Sequence, residues 1–149
     1  MNKIFYMTIG VPGSGKSTVV KNFSSATVIS TDDIREQLFG NLIDGNIPKN
    51  NIKVWEQARK QLKKTFLSGV DAVLDATNLS RKRRINWFNM ANKYGYHCVA
   101  LYFDDTWDNI KQRNVAREST DKHIPLYKLK DMYTKLEPPM KFEAPNLEI

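Results

Sequence analysis

Gly10-Val11-Pro12-Gly13-Ser14-Gly15-Lys16-Ser17-Thr18 is the stretch whose reading decides the fold. The apolar run Ile4-Phe5-Tyr6-Met7-Thr8-Ile9 precedes it, and Val19-Val20-Lys21-Asn22-Phe23, a short helix by composition, follows. Strand, glycine-rich loop and helix stand in order with the spacing G-x-x-x-x-G-K-S. Glycines at 10, 13 and 15 permit backbone angles closed to other residues, so consecutive amides turn inward around an anion. The helix starting near Lys16 adds its positive end to the same spot. Lys16 then reaches the β- and γ-phosphates, and the Ser17 hydroxyl can ligate Mg²⁺. A glycine-rich surface turn without a nucleotide is the alternative, and both flanks argue against it. Gly10, Pro12, Gly13, Ser14, Gly15, Lys16, Ser17 and Thr18 are the expected contacts of a nucleoside triphosphate.

Working outward, 149 residues suit one domain with a single core and helices on both faces of a sheet. A composition 41% hydrophobic and 26% charged is globular, and no apolar run approaches the ~18 residues of a membrane span. The first residues lack the small-residue cleavage site of a signal peptide. Cys98, the single cysteine, lies in an apolar run and reads as a core residue, so the expected compartment is a reducing cytoplasm. The net charge of +7 exceeds what a triphosphate alone requires. It favours an anionic second substrate, nucleic acid being the commonest, although lysine-rich surfaces also arise from coding bias.

Along the chain, Thr27-Val28-Ile29-Ser30 reads as a second strand, parallel to the first through a right-handed crossover. Ser30-Thr31-Asp32-Asp33-Ile34-Arg35 is then a helix start at the carboxyl end of that strand, where open α/β sheets bind ligands. Asp32 and Arg35, three apart, share one helix face. Such a pair facing a cleft suits an acceptor with a hydroxyl to deprotonate and a phosphate to grip. The other reading has an aspartate merely capping the helix and Arg35 solvated. Residues 39–51 read as a loop, and Ile52 to Ser68 as a helix with Trp55, Ala58, Leu62 and Phe66 inward.

Val70 to Asp75 is a third strand ending in an acid that either serves the Mg²⁺ site or caps the next loop, Ala76-Thr77-Asn78-Leu79. Ser80 to Tyr94 is a helix whose first turn carries Arg81-Lys82-Arg83-Arg84. Four cations there oppose the helix dipole. Either acceptor phosphates or distant Glu and Asp partners would explain them. His97 to Phe103 is a fourth strand, and Asp105 or Thr106 caps a helix running to about Arg117. Arg113 and Arg117, four apart beside a polar loop, have the make-up of a kinase lid, in which arginines stabilise the transferring phosphoryl group. Pro125 opens a last helix through Leu136, and the tail docks through Phe142 and Leu147.

These pieces resemble the kinase domain of phage-type polynucleotide 5′-kinases, among the small P-loop kinases related to adenylate kinase. The resemblance rests on residues 8–18, Thr31-Asp32-Asp33-Ile34-Arg35, and Asp75-Ala76-Thr77-Asn78-Leu79 with Ser80 to Arg84. Lys111 to Arg117, Ile124-Pro125 and Met132-Tyr133 complete it, in the same order over nearly all of residues 3–136. It implies a P-loop NTPase fold, a three-layer α/β/α domain over 1–149 with a mainly parallel sheet of four to five strands and a helical lid at about 113–128. It implies that Lys16 and Ser17 bind ATP and Mg²⁺ and that Asp32 is the general base on a 5′-hydroxyl. Arg35 would grip the acceptor phosphate, Arg117 the donor phosphates, and Arg113 would lie near the nucleotide. Asp75, Thr77, Asn78 and Ile124 would sit beside the acceptor nucleoside. The acceptor implied is a 5′-hydroxyl end of single-stranded DNA or RNA. Relatives with the same D-x-x-R and T-N-L elements phosphorylate metabolites, antibiotics or nucleotides, so a small-molecule kinase is the alternative. A nucleotide-binding switch or RNA-binding module without transferase activity is a third reading.

Overall fold

The computed structural model describes residues 3–40, 51–117 and 123–149, apart from the Asn51 side chain. Alternation in the first apolar run makes β1 (Ile4–Ile9), with Phe5, Met7 and Ile9 buried on one face. The chain continues through α1 (Lys16–Val20), β2 (Thr27–Ser30), α2 (Thr31–Phe39), α3 (Asn51–Ser68), β3 (Ala72–Asp75), α4 (Arg81–Lys93) and β4 (His97–Tyr102). It ends in α5 (Trp107–Val115), α6 (Leu126–Lys135) and a 3₁₀ turn at Lys141–Glu143. The four strands are parallel in the order β2-β3-β1-β4, the α/β architecture expected. No helix among the described residues is long and apolar enough to cross a membrane.

Helix boundaries follow the hydroxyl signals. Ser30, Ser80 and Thr106 cap α2, α4 and α5, each accepting from the amide three residues on. Neither Asp32 nor Asp33 makes the cap, so the capping alternative does not account for them. β3 is shorter than predicted. Asp71 lies outside it and accepts from the Ile4 amide at 2.9 Å, tying the start of β1 to that corner.

One face of the sheet carries most of the core. Phe5 meets Phe66 of α3 and Phe88 of α4 edge-on at 5.5 and 6.3 Å, with Val54, Ala58, Leu62, Trp87 and Ala91 filling the layer. The opposite face is thinner, and Tyr6 there packs on Phe23 at 4.6 Å. A second cluster of Val11, Ile110 and Leu129 joins the phosphate loop to α5 and α6. Cys98 is buried, and burial pushes its thiol up to about 12, consistent with a core role.

The cationic first turn of α4 is resolved by the tail. Arg84 is fully buried and meets Glu143, also buried, through two bonds of 2.8 and 3.1 Å. Its remaining N–H groups donate to the carbonyls of Asn78 and Leu79 at 2.8 and 3.0 Å. Arg81 pairs with Glu137 at 3.2 Å and donates to the Pro138 carbonyl at 3.0 Å. The partners thus come from the tail, and Arg81 and Arg84 hold structure. The tail docks through Leu147, Ala144 and Glu143, whereas Phe142 is exposed with the Arg81 guanidinium over its ring. Leu147 leads into a parallel bridge between Glu148 and Val99 along the outer edge of β4.

Removing one member of a buried ion pair leaves the other charge desolvated. Glu143→Ala is therefore expected to cost about 3–5 kcal/mol in urea unfolding, with the double variant Arg84→Met/Glu143→Leu recovering most of it. A loss below about 1 kcal/mol in the single variant would contradict a fully desolvated pair.

Candidate active site

Parallel strands bring the ends of β1, β2 and β3 to one edge, and a cleft of about 620 Å³ opens there. Its wall includes Pro12, Gly13, Lys16 and Ser17 from the phosphate loop, Asp32 and Arg35 from α2, and Asp75 and Thr77 after β3. Arg117, Ile124 and Lys128 face it from the other side.

The phosphate loop keeps its shape for steric reasons. A side chain at Gly10 would collide with Ser14 Oγ at 2.7 Å and Phe103 at 3.0 Å. Gly15, the cap of α1, sits at φ 99°, a left-handed conformation that penalises any other residue. The cap supplies no side-chain acceptor to the first amides of α1, and the buried Ser14 hydroxyl has no protein partner. Lys16 folds back and donates to the Gly10 and Val11 carbonyls at 2.8 and 3.0 Å. Burial, opposed by Asp75 and Asp32 and aided by Arg117, lowers its pKa to about 8. Orphan donors and a desolvated lysine fit a polyphosphate, which would satisfy all of them together.

Opposite the loop, Arg35 holds Asp32 at 2.9 Å, with the carboxylate side chain 75% exposed and the guanidinium 22% exposed. The two residues predicted from spacing do share a helix face and line the cleft with Lys16. Asp75 also lines it, and burial raises its pKa against the pull of Lys16 and the Thr8 hydroxyl. Asp75 thus feels the charge of the loop lysine and of the acid at residue 32.

Other expected residues fall in two groups. Thr77, Ile124 and Arg117 line the cleft; Ser17 is exposed in it, and Thr18 is exposed outside its lining. Asn78 does not line it. Its amide donates to the Thr8 carbonyl at 2.7 Å from a residue at φ 47°, so the side chain shapes the loop instead of meeting an acceptor. Arg113, expected near the nucleotide, braces the phosphate loop through the Gly13 carbonyl at 2.8 Å and is held by Asp105. Of the lid segment expected at 113–128, residues 118–122 lie outside the described residues.

Sequence reasoning missed several groups. Buried Asn114 clamps Ile124 with paired bonds of 2.7 and 3.0 Å, fixing residue 124 against the cleft. An amide on the inward face of α5 was the available signal. Trp55, His123 and Met132 also line the cleft, as does Arg83, one of the four cations for which acceptor phosphates were one of two readings. Trp55 read only as core because its helical spacing is indistinguishable from that of Ala58 and Leu62.

Known proteins resemble this chain to different extents. A putative bifunctional polynucleotide kinase/RNA ligase of Autographa californica nuclear polyhedrosis virus is 30% identical over 131 residues, covering 78% of this chain. The chain spans only 18% of that viral protein. A chain in the structure of a Pnkp1/Rnl/Hen1 complex superposes with TM-score 0.64 at 20% identity, covering 75% of this chain and 39% of its own. A gluconokinase from Sinorhizobium meliloti 1021 superposes with TM-score 0.62 at 21% identity over 91% of this chain and 76% of its own. These superpositions show a shared α/β fold. A family model described as an AAA domain matches residues 5–139, so the chain belongs to that family.

Proposed function

We propose that this domain transfers the γ-phosphoryl group of ATP to the 5′-hydroxyl of DNA or RNA. The observation that carries the reading is the Asp32–Arg35 pair facing Lys16 across one cleft. Asp32, oriented by Arg35, accepts the proton of the incoming hydroxyl. The hydroxyl oxygen forms its bond to the γ-phosphorus as the bond to the β–γ bridging oxygen breaks, releasing ADP. Arg35 also lies where a backbone phosphate beside the reacting sugar is gripped. Lys16 leaves its carbonyl acceptors for the β- and γ-phosphates, and Arg117 stabilises charge on the transferring group. Ser17, with Asp75 nearby, would hold Mg²⁺, which neutralises charge on the β- and γ-oxygens.

The viral relative supports a polynucleotide acceptor, as does the net charge of +7. The gluconokinase-like fold supports the second reading, a small-molecule hydroxyl in the same place. Labelled ATP offered beside 5′-hydroxyl oligonucleotides, mononucleotides and a sugar panel distinguishes them. Transfer to oligonucleotides is expected, weakening steeply with salt at a slope near −0.7 per contacted phosphate. Transfer to sugars alone, or a flat salt response, refutes the polynucleotide reading. Absence of transfer to any hydroxyl leaves a nucleotide-binding module.

Asp32→Ala is expected to lower turnover by about 10²–10⁴-fold, the usual range for a lost general base. Near-normal turnover would remove Asp32 from that role. For Lys16, a pKa of about 8 in the free protein means that it is mostly neutral near pH ~9. Triphosphate binding restores its charge, so complex formation there takes up close to one proton. Calorimetry in buffers of different ionisation enthalpy reads that uptake, and Lys16→Met is expected to abolish it.

A further inference from the structure

The run Arg81-Lys82-Arg83-Arg84 divides by task. Arg81 and Arg84 face the tail, Lys82 is exposed away from the cleft lining, and Arg83 lines the cleft. The Arg83 guanidinium lies 5.5 Å over the Trp55 ring, which leans on Trp87 at 5.9 Å. Among the described residues no carboxylate pairs with Arg83, although Asp32, Asp33, Glu36 and Asp75 line the same cleft. An exposed arginine steadied over an indole can still offer N–H groups to a ligand. A phosphate is a ligand that a guanidinium can bind in bidentate fashion.

The cleft is also long. From Asp32 its wall follows α2 past Arg35 and Glu36 to Gly40, about 12 Å along the helix, with Trp55 and Arg83 contributed by α3 and α4. A nucleoside with one 3′-phosphate, placed by the proposed reading next to Asp32 and Arg35, would leave the wall that carries Arg83 unfilled.

We propose that Arg83, steadied by Trp55, contacts a second backbone phosphate of the acceptor, one nucleotide beyond the phosphate gripped by Arg35. The proposal rests on the polynucleotide reading of the same cleft. It assigns these two side chains to preference for a chain over a mononucleotide.

The test compares three acceptors: a nucleoside 3′-monophosphate, a dinucleotide carrying two phosphates, and a single-stranded oligonucleotide. The native protein is expected to favour the dinucleotide over the mononucleotide in kcat/KM. Arg83→Gln is expected to lower that ratio about five- to tenfold, as for one lost charge-assisted hydrogen bond at an exposed site. Arg83→Lys retains part of the ratio, and Trp55→Leu lowers it with the arginine still present. The salt slope of oligonucleotide Kd becomes shallower by about 0.7 in Arg83→Gln. An unchanged ratio and slope in Arg83→Gln, with all three acceptors phosphorylated, overturns this proposal alone. No phosphorylation of any of the three by the native protein overturns the acceptor class and this proposal with it.

Discussion

The carboxyl end of β1 is welded to the loop that follows β3, and the site depends on that weld. The Gly10 amide donates to the Thr77 carbonyl at 3.0 Å and the Asn78 side chain to the Thr8 carbonyl at 2.7 Å. The Thr8 hydroxyl reaches the Ala76 carbonyl at 2.8 Å. Buried backbone groups at a strand end must find partners, and here each finds one on the neighbouring loop. The phosphate cradle and Asp75 are therefore fixed relative to each other by main-chain geometry. On the far side the Phe103 amide donates to the Ile9 carbonyl at 2.8 Å, continuing the register of β4. Only a glycine fits at position 10 between these partners.

Charge is arranged around that frame in two regimes. Arg84 and Glu143 are sealed from water and satisfy each other and nearby carbonyls, so they define loop shape. Lys16 and Asp75 are partly desolvated in the cleft wall, whereas Asp32 and Arg35 pair at 2.9 Å on its open side. The first group is costly to disturb because nothing can replace a lost partner. In the proposed reaction Lys16 and Arg35 would exchange protein partners for phosphate, as catalysis by positioning and electrostatics requires. Asn114 provides the matching support on the opposite wall by clamping Ile124.

The sequence made some of this legible and hid the rest for identifiable reasons. The phosphate loop was readable because glycine spacing, flanking strand and following lysine are all local. Asp32 and Arg35 were readable as a pair because helical spacing alone puts them on one face. Which hydroxyl capped the helix was also local, and Ser30 took that part. The four cations of α4 were ambiguous because Glu143 lies 59 residues from Arg84, beyond any periodic pattern. Asn78 looked like a ligand group until its positive φ and its bond to Thr8 gave it a structural duty. The bracing of the phosphate loop by Arg113 was hidden because the carbonyl of Gly13, its acceptor, is invisible in a string of side chains. Trp55 carried no distinguishing mark within a stripe of core residues.

The bond from Arg84 to Glu143 also has a temporal consequence. The loop at Asn78 and Leu79, beside the cleft, is gripped by an arginine whose counter-charge arrives 59 positions later in the chain. During synthesis from the N-terminus, the phosphate loop and β3 emerge well before that carboxylate. Until it does, the guanidinium lacks its carboxylate and the loop after β3 is without its final brace. That loop is therefore locked last, an order written into the connectivity of a single ion pair.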